Sequence, residues 1–315
     1  MNSVSLQHLT SVSASPSLVT IGTFDGVHLG HQALLSTAAD HAHAHGLASI
    51  VITFEPIPAS ILRPDGFPGR ICPREEKIEL ISAFDFDHVV VLRFDRDLAA
   101  HSPEQFMEIV SRATSLSELW IGEAFALGKG RSGGIERLTE IGERLDYNVT
   151  ATARSEDIDG VISSTRIRHG IQLGDVSLAN RLLGRPFSIS GIVIHGAQFG
   201  RTIGYPTANV HPPVEQVALA DGIYASRVTL PGEEVPHNAM TYVGTRPSVN
   251  TGARQIETNL LDFDRDLYGQ EIRVEIMQRL RPDEFFPTLE QLVEQLRRDE
   301  VATRAFFLDL EDRFD

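Results

Sequence analysis

The chain has 315 residues, 42% hydrophobic and 23% charged, with a formal net charge of −15. That length accommodates two domains, each with its own core, and the balance is that of an ordinary globular protein. The acidic surplus argues against nucleic acid or an anionic membrane as a partner, since either needs a basic patch, whereas Mg-ATP, neutralised locally, stays compatible.

The first 180 residues alternate strand and helix signals. Leu18 to Ile21 is a short β-branched run that stops at Gly22, and a helical stretch follows from about His28 to His45. Ser49 to Phe54 reads as a buried strand, Glu75 to Phe84 as a helix and His88 to Leu92 as a third strand. Ser102-Pro103-Glu104 is a helix start: a capping hydroxyl, proline at the first helical position and an acid in the first turn. Leu119 to Ile121 is a fourth strand, Thr139 to Leu145 closes another helix, and Asn148 to Ala153 is a further strand. Strands separated by helices of this length predict parallel βαβ units in a doubly wound sheet. Ligands of such sheets sit at the carboxyl ends of the strands, where Gly22 to His31 falls.

The pattern changes at Gly184-Arg185-Pro186. Close-spaced strands follow at Ser188 to Ile194, Gly222 to Leu230, Thr241 to Val243, Gln255 to Phe263 and Glu271 to Met277, with turn signals at Pro231-Gly232 and Tyr268-Gly269. Strands without intervening helices predict an antiparallel barrel. An amphipathic helix from Thr288 to about Asp299 carries the stripe Leu289, Leu292, Val293 and Leu296. The expected division is therefore an α/β domain over 1–184 and a barrel domain with a terminal helix over 185–315. No apolar run approaches the roughly 18 residues of a membrane helix, and the polar, Ser-rich start has no signal-peptide pattern. The single Cys72 allows no internal disulfide and fits a reducing cytoplasm, most simply as a small buried hydrophobe.

Two segments carry chemistry. In Gly22-Thr-Phe24-Asp25-Gly-Val-His28-Leu-Gly30-His31, two histidines three apart share a face at a helix start. Free amides and the positive end of the helix dipole point the same way, which cradles a triphosphate. Imidazoles there can stabilise phosphate charge as it builds during transfer. In Gly200-Arg201-Thr-Ile-Gly204-Tyr-Pro206-Thr207-Ala-Asn209, glycines let a loop wrap phosphates. Pro206 fixes the chain so that Thr207 and Asn209 can offer hard oxygens to Mg2+ bridging ATP phosphates. An ordinary Gly/Pro turn is the weaker reading of those ten residues on their own. His41, His43 and His45 alternate along a helix, so they point to different sides and read as a solvated helix end.

The first segment resembles the His-x-Gly-His signature of nucleotidyltransferases that adenylylate small substrates from ATP. Ile162-Ser-Ser164-Thr165-Arg-Ile-Arg168, Thr53-Phe-Glu-Pro56, Ser102-Pro-Glu-Gln-Phe106, Gly128-Lys-Gly-Arg-Ser132-Gly and Leu182-Leu-Gly-Arg185-Pro resemble further motifs of one family. It is the prokaryotic bifunctional riboflavin kinase/FMN adenylyltransferase family, and the likeness runs from about Val19 to Arg304. The resemblance implies a Rossmann-like nucleotidyltransferase domain followed by a riboflavin-kinase barrel. It implies phosphorylation of riboflavin to FMN and adenylylation of FMN to FAD, each with Mg-ATP. It assigns Gly22, Phe24, Asp25, Gly30, Ser164, Thr165 and Arg168 to ATP in the first domain, with His28 and His31 catalytic. In the second it assigns Gly200, Arg201, Gly204 and Pro206 to phosphate, and Thr207 and Asn209 to the metal.

The resemblance also makes Glu257, before Leu260-Leu-Asp-Phe263 and Asp266-Leu-Tyr-Gly269, the general base for the ribityl hydroxyl. Without the resemblance, its alternation with Ile256 and Leu260 fits a solvent-facing strand residue better. The chain departs from the family at Ile57, where relatives carry His, and at Ala124, where they carry Asn or Asp, which implies a slower adenylylation. Asn259, Tyr242 and Ser248 depart more mildly, while Gly244, Arg246 and Pro247 match. Two other readings stand beside the bifunctional enzyme: a riboflavin kinase with an inactive, nucleotide-binding first domain, and a non-catalytic flavin binder. The sequence leaves the oligomeric state open.

Overall fold

The computed structural model describes residues 3–196, 199–211, 215–245 and 254–312. The chain divides into two compact units, Met1–Arg70 with Arg74–Ser164 and Ile71–Pro73 with Thr165–Asp315.

The first unit is built on a parallel sheet of β1 (Ser17–Ile21), β2 (Ala48–Glu55), β3 (His88–Arg93), β4 (Leu116–Gly122) and β5 (Asn148–Thr152), ordered β3-β2-β1-β4-β5. Helices α1 (Leu29–Ala44), α2 (Pro58–Leu62), α3 (Arg74–Ser82), α4 (Arg96–Ala100), α5 (Pro103–Thr114) and α6 (Ile135–Leu145) connect the strands. Neighbouring residues of one strand feed opposite layers. Val19, Ile50, Ile52, Leu119 and Ile121 pack with Met107 and Val110 of α5 and Leu138 and Ile141 of α6. Leu18, Val51 and Trp120 pack with Leu35 and Ala38 of α1 and Ile81 of α3. Both faces are covered, so these strands read as nearly continuous apolar runs. The order reverses at β1, which pairs with β2 on one side and β4 on the other, and the loop after β1 occupies that switch point. The expected start of α5 carries a full capping box between Ser102 and Gln105.

A hairpin of two very short strands, β6 (Glu156–Asp157) with β7 (Gly160–Val161), precedes α7 (Ser164–Leu173) and α8 (Val176–Leu183). The second unit is a closed antiparallel barrel of β8 (Phe187–Ile194), β9 (Ala208–His211), β10 (Gly222–Thr229), β11 (His237–Gly244), β12 (Gln255–Leu260) and β13 (Glu271–Pro282), in the order β10-β11-β12-β9-β8-β13. A short helix, α9 (Phe199–Thr202), precedes β9, and α10 (Leu289–Asp312) ends the described chain.

Several boundaries differ from the sequence expectation, three of them with a clear physical reason. β12 stops at Leu260 rather than Phe263, because Asp262 turns the chain in a left-handed conformation (φ 55°). The terminal helix continues past Asp299 to Asp312, carried by buried Thr303 and Phe307, with the Thr303 hydroxyl donating to the Asp299 carbonyl. The boundary between units falls after Ser164, ahead of the pattern switch at Gly184, because α8 docks on the barrel. The Asn180 side-chain amide donates to the Ile276 carbonyl at 2.9 Å and accepts from the Phe187 backbone amide at 2.7 Å. Val176, Ala179, Leu182 and Leu183 are buried. No helix among the described residues is long and apolar enough to cross a membrane.

Candidate functional sites

The first site is the turn between β1 and α1. The Gly22 amide still bonds to the Ile52 carbonyl, and a side chain at Gly22 would collide with the Phe24 ring at 2.6 Å. Phe24 (φ 49°), Gly26 (φ 81°) and Val27 (φ 39°) all adopt positive φ, a demanding conformation for the two side-chain-bearing residues. His28 is the N-cap of α1, its Nδ1 accepting the His31 amide at 3.2 Å. The cap therefore fixes the tautomer: Nδ1 is occupied as an acceptor and Nε2 carries the proton of the neutral ring. Capping and ligand binding are thus compatible in one histidine.

The His28 and His31 rings stack at 3.6 Å, and Phe24 meets His31 edge-on at 5.2 Å. His31 Nδ1 is buried without a hydrogen-bond partner among the described residues. Burial, then His28 and then the Lys77 ammonium hold the His31 pKa well below that of an ordinary histidine. Ser164, at the start of α7, donates to the Asp25 carbonyl at 2.9 Å, which brings the start of the second motif to the first across 139 residues of sequence. Thr165 is exposed and Arg168 half-buried, three apart on one face of α7. Gly30 approaches the His28 ring, with space for a Cβ only 3.3 Å away. Asp25 is buried within the turn, its carbonyl accepting from Ser164 and its carboxylate favouring the charged Lys77.

The sequence reading missed what lies under this turn. Glu55, Arg70 and Lys77 are all buried. Arg70 grips Glu55 with two bonds, of 2.7 and 3.2 Å, and Lys77 Nζ lies 2.7 Å from Glu55 Oε1. Burial opposes ionisation of Glu55, but the two cations outweigh it and hold its pKa below the usual carboxylate range. Thr53-Phe-Glu-Pro56 is a legible motif. Lys77, though, sits in a helix rich in charge, and no periodicity separates it from its neighbours. Ile57 is buried at the N-cap of α2 without a capping side chain. Ala124 is exposed, its carbonyl accepting from Arg131 at 3.1 Å.

The histidine tract does not act as one group. His41 and His45 stack at 4.0 Å, and His41 lies against Trp120 and 3.1 Å from Glu118. His43 instead approaches Ser49 and Asp85. Cys72 is free and buried.

The second site is made by strand register. Asn209 of β9 pairs with Glu257 of β12, and Glu257 pairs with Tyr242 of β11. Residues far apart in sequence thus stand in one row across three strands. Glu257 and Asn209 are buried, not solvent-facing. The Thr207 hydroxyl donates to Glu257 Oε2 at 3.5 Å, and the Asn209 amide nitrogen donates to the Thr207 carbonyl at 3.4 Å. Asn259 Nδ2 holds the Pro206 carbonyl at 2.7 Å. The loop ahead of them closes through the Tyr205 amide on the Gly200 carbonyl at 2.8 Å. Gly200 is required there, since a Cβ would sit 2.2 Å from the Tyr205 carbonyl oxygen, and Gly204 has φ 86°. Arg201 is exposed beside this loop.

Two cavities flank this row. One, of about 310 Å³, has apolar walls including Ile223, Met240, Phe286 and Leu292, with Thr207 and Glu257 on its lining. The other, of about 160 Å³, is lined by Arg201, Pro206, Thr207, Thr258 and Asp266 among others. Thr207 lines both. The Arg281–Asp299 ion pair, at 2.7 Å, ties α10 to β13 beside the first cavity, and the Tyr242 hydroxyl donates to Asp283 at 3.1 Å. Arg246, Pro247 and Ser248 lie outside the described residues.

Comparison with known proteins matches this architecture unit by unit. Residues 10–166 match the FAD synthetase family model and residues 183–307 the riboflavin kinase model. Over 303 residues and 96% of both chains, the sequence is 36% identical to the bifunctional riboflavin kinase/FMN adenylyltransferase of Escherichia coli. It is 35% identical over 309 residues to the Bacillus subtilis enzyme of the same name, with 96% of each chain covered. A solved structure titled as a macrolide-efflux protein from Streptococcus pneumoniae superposes with a TM-score of 0.85 at 31% identity, over 95% of this chain and 97% of that one. With both family domains present in one chain and relatives aligned along nearly all of it, the protein belongs to the bifunctional riboflavin kinase/FMN adenylyltransferase family.

Proposed function

We propose that the two reactions of this family divide between the two sites as the chemistry of their side chains suggests. Riboflavin's ribityl 5′-hydroxyl must lose a proton to attack phosphorus, so its site needs a base. FMN attacks with a phosphate oxygen that is already ionised, so its site needs only positioning and charge stabilisation. The barrel site has a buried carboxylate, Glu257, whereas the α/β site offers two imidazoles at a helix start.

In the barrel, the flavin ring occupies the larger apolar cavity and ATP the smaller polar one, with phosphates around Gly200, Arg201, Gly204 and Pro206. Glu257 accepts the hydroxyl proton as the oxygen attacks the γ-phosphorus and ADP leaves. The observation that carries this reading is Thr207, which lines both cavities and bonds to Glu257 at 3.5 Å. The Thr207 hydroxyl and Asn209 amide oxygen are hard donors, and so small a set suits Mg2+ that takes most of its ligands from phosphates and water. That ion would neutralise the phosphates and orient the transferred group.

In the α/β unit, Gly22 to His31 receive the triphosphate, with Ser164 beside them. His28 Nε2–H and the His31 ring meet the α-phosphate while an FMN phosphate oxygen bonds to its phosphorus and pyrophosphate departs. Ile57 and Ala124 lack the polar groups of relatives, which supports a slower second step than the first. Incubating the protein with riboflavin and Mg-ATP and separating the flavins by chromatography tests the whole scheme. FMN should appear first and FAD later, while FMN alone would leave the first unit without its reaction.

A further inference from the structure

The strained turn after β1 has a mechanical problem. Phe24 and Val27 hold positive φ without being glycine, a conformation that persists only where surrounding structure dictates it. The carbonyls of the turn show what dictates it. The Val27 carbonyl accepts from Gln32 Nε2 at 2.8 Å, and the Asp25 carbonyl accepts from Ser164. The Thr23 carbonyl accepts twice, from the Thr53 hydroxyl at 3.2 Å and from Lys77 Nζ at 3.4 Å. With its carbonyls held by side chains of α1, α3, α7 and β2, the turn is fixed just where it leads into the His28 cap.

Lys77 differs from the other donors in being charged, and its side chain is fully buried, at 0% exposure. A buried ammonium is costly unless paired and hydrogen-bonded. Here it bonds to Glu55, to the Phe54 carbonyl at 2.9 Å and to Thr23. Lys77 and Arg70 face Glu55 and Asp25, so cations and carboxylates balance. The arrangement joins the end of β2 to the turn after β1 through one cation carried by α3.

We propose that Lys77 is a positioning residue for adenylyl transfer: its buried ammonium, tied to Glu55, holds the Thr23 carbonyl and sets the turn that presents His28 and His31. The inference rests on the assignment of that turn to the ATP phosphates. A site built this way gains rate through geometry fixed in advance, since misplacement of a catalytic group by a fraction of an ångström erodes transition-state contacts more than ground-state binding.

The test uses the full-length chain, with FAD formation from supplied FMN and Mg-ATP as readout and riboflavin phosphorylation as internal control. Lys77→Met should lower kcat for FAD at least tenfold with KM for ATP nearly unchanged, and leave FMN formation untouched. It also unbalances the cluster by one negative charge and should lower the melting temperature of the first unit. Lys77→Met with Glu55→Gln restores the charge balance. Stability should return while kcat stays low, because the Thr23 and Phe54 carbonyls still lack their ammonium. Wild-type kcat in Lys77→Met, or kcat returning together with stability in the double variant, would overturn the proposal. If Lys77→Met fails to fold, the charge-balanced Lys77→Met with Glu55→Gln decides, since it too lacks the ammonium on the Thr23 carbonyl. A severalfold loss in kcat at constant KM sustains the positioning role, and wild-type kcat overturns it. His28→Ala serves as the separate check on the site. FAD formation surviving that change would refute the phosphate assignment itself, whereas its loss beside an unaffected Lys77→Met would refute only the role of Lys77.

Discussion

Replacing Glu257 with glutamine isolates one function of one buried side chain. The substitution keeps volume and shape, and the row Asn209–Glu257–Tyr242 is set by backbone pairing that the change does not touch. Thr207 can still donate to the side-chain amide oxygen of the glutamine, so the bond seen at 3.5 Å needs no rearrangement. What disappears is the capacity to accept a proton. Loss of a general base costs about 10²–10⁴-fold in rate, or roughly 3–5.5 kcal/mol in barrier at ~1.4 kcal/mol per tenfold. Since the apolar cavity and the glycine loop stay intact, KM for riboflavin and for ATP should change little, and the loss should fall on kcat. The assay is chromatographic separation of riboflavin, FMN and FAD in timed reactions. A second reaction started from FMN, which bypasses the kinase, should run at the wild-type rate and exclude global damage. A kcat within a few-fold of wild type for FMN formation would refute the assignment of Glu257 as base.

His28→Ala combined with His31→Ala should abolish FAD formation from FMN without affecting riboflavin phosphorylation; residual FAD synthesis at the wild-type rate would remove both histidines from the chemistry. Ala124→Asn should speed adenylylation, since a hydrogen bond to a charged group contributes about 1.5–3 kcal/mol, or roughly ten- to hundredfold, and an unchanged rate would show that the position makes no such contact. A fragment beginning at Arg185 is expected to fold and phosphorylate riboflavin, but one beginning at Thr165 should melt at a higher temperature. The longer fragment keeps α8, whose buried apolar side chains contribute roughly 1.5–3 kcal/mol each when fully covered. Equal melting temperatures, measured by circular dichroism, would deny α8 that role.

The sequence by itself determined the features that are local. The β-branched run ending at Gly22, the capping box at Ser102 and the change of period near Gly184 each lie within a few residues, and period and turn chemistry act at that range. The resemblance then attached roles to Thr207, Asn209 and Glu257. Their meeting was decided by tertiary structure, because the pairing of β9 with β12 is a register, and a shift by one residue would turn Glu257 to the opposite face of its strand. On sequence alternation alone Glu257 fits a solvent-facing position better; barrel closure buries it. The docking of α8 on the barrel was likewise hidden, since an amphipathic helix shows that it has an apolar face but not which surface covers it. Lys77 is the clearest case. A lysine in a charged helix is exposed by default, and only the folding of α3 against the ends of β1 and β2 brings its ammonium to Glu55 and the Thr23 carbonyl. Buried charge is a property of the contacts made across the fold, and those contacts leave no period in the sequence.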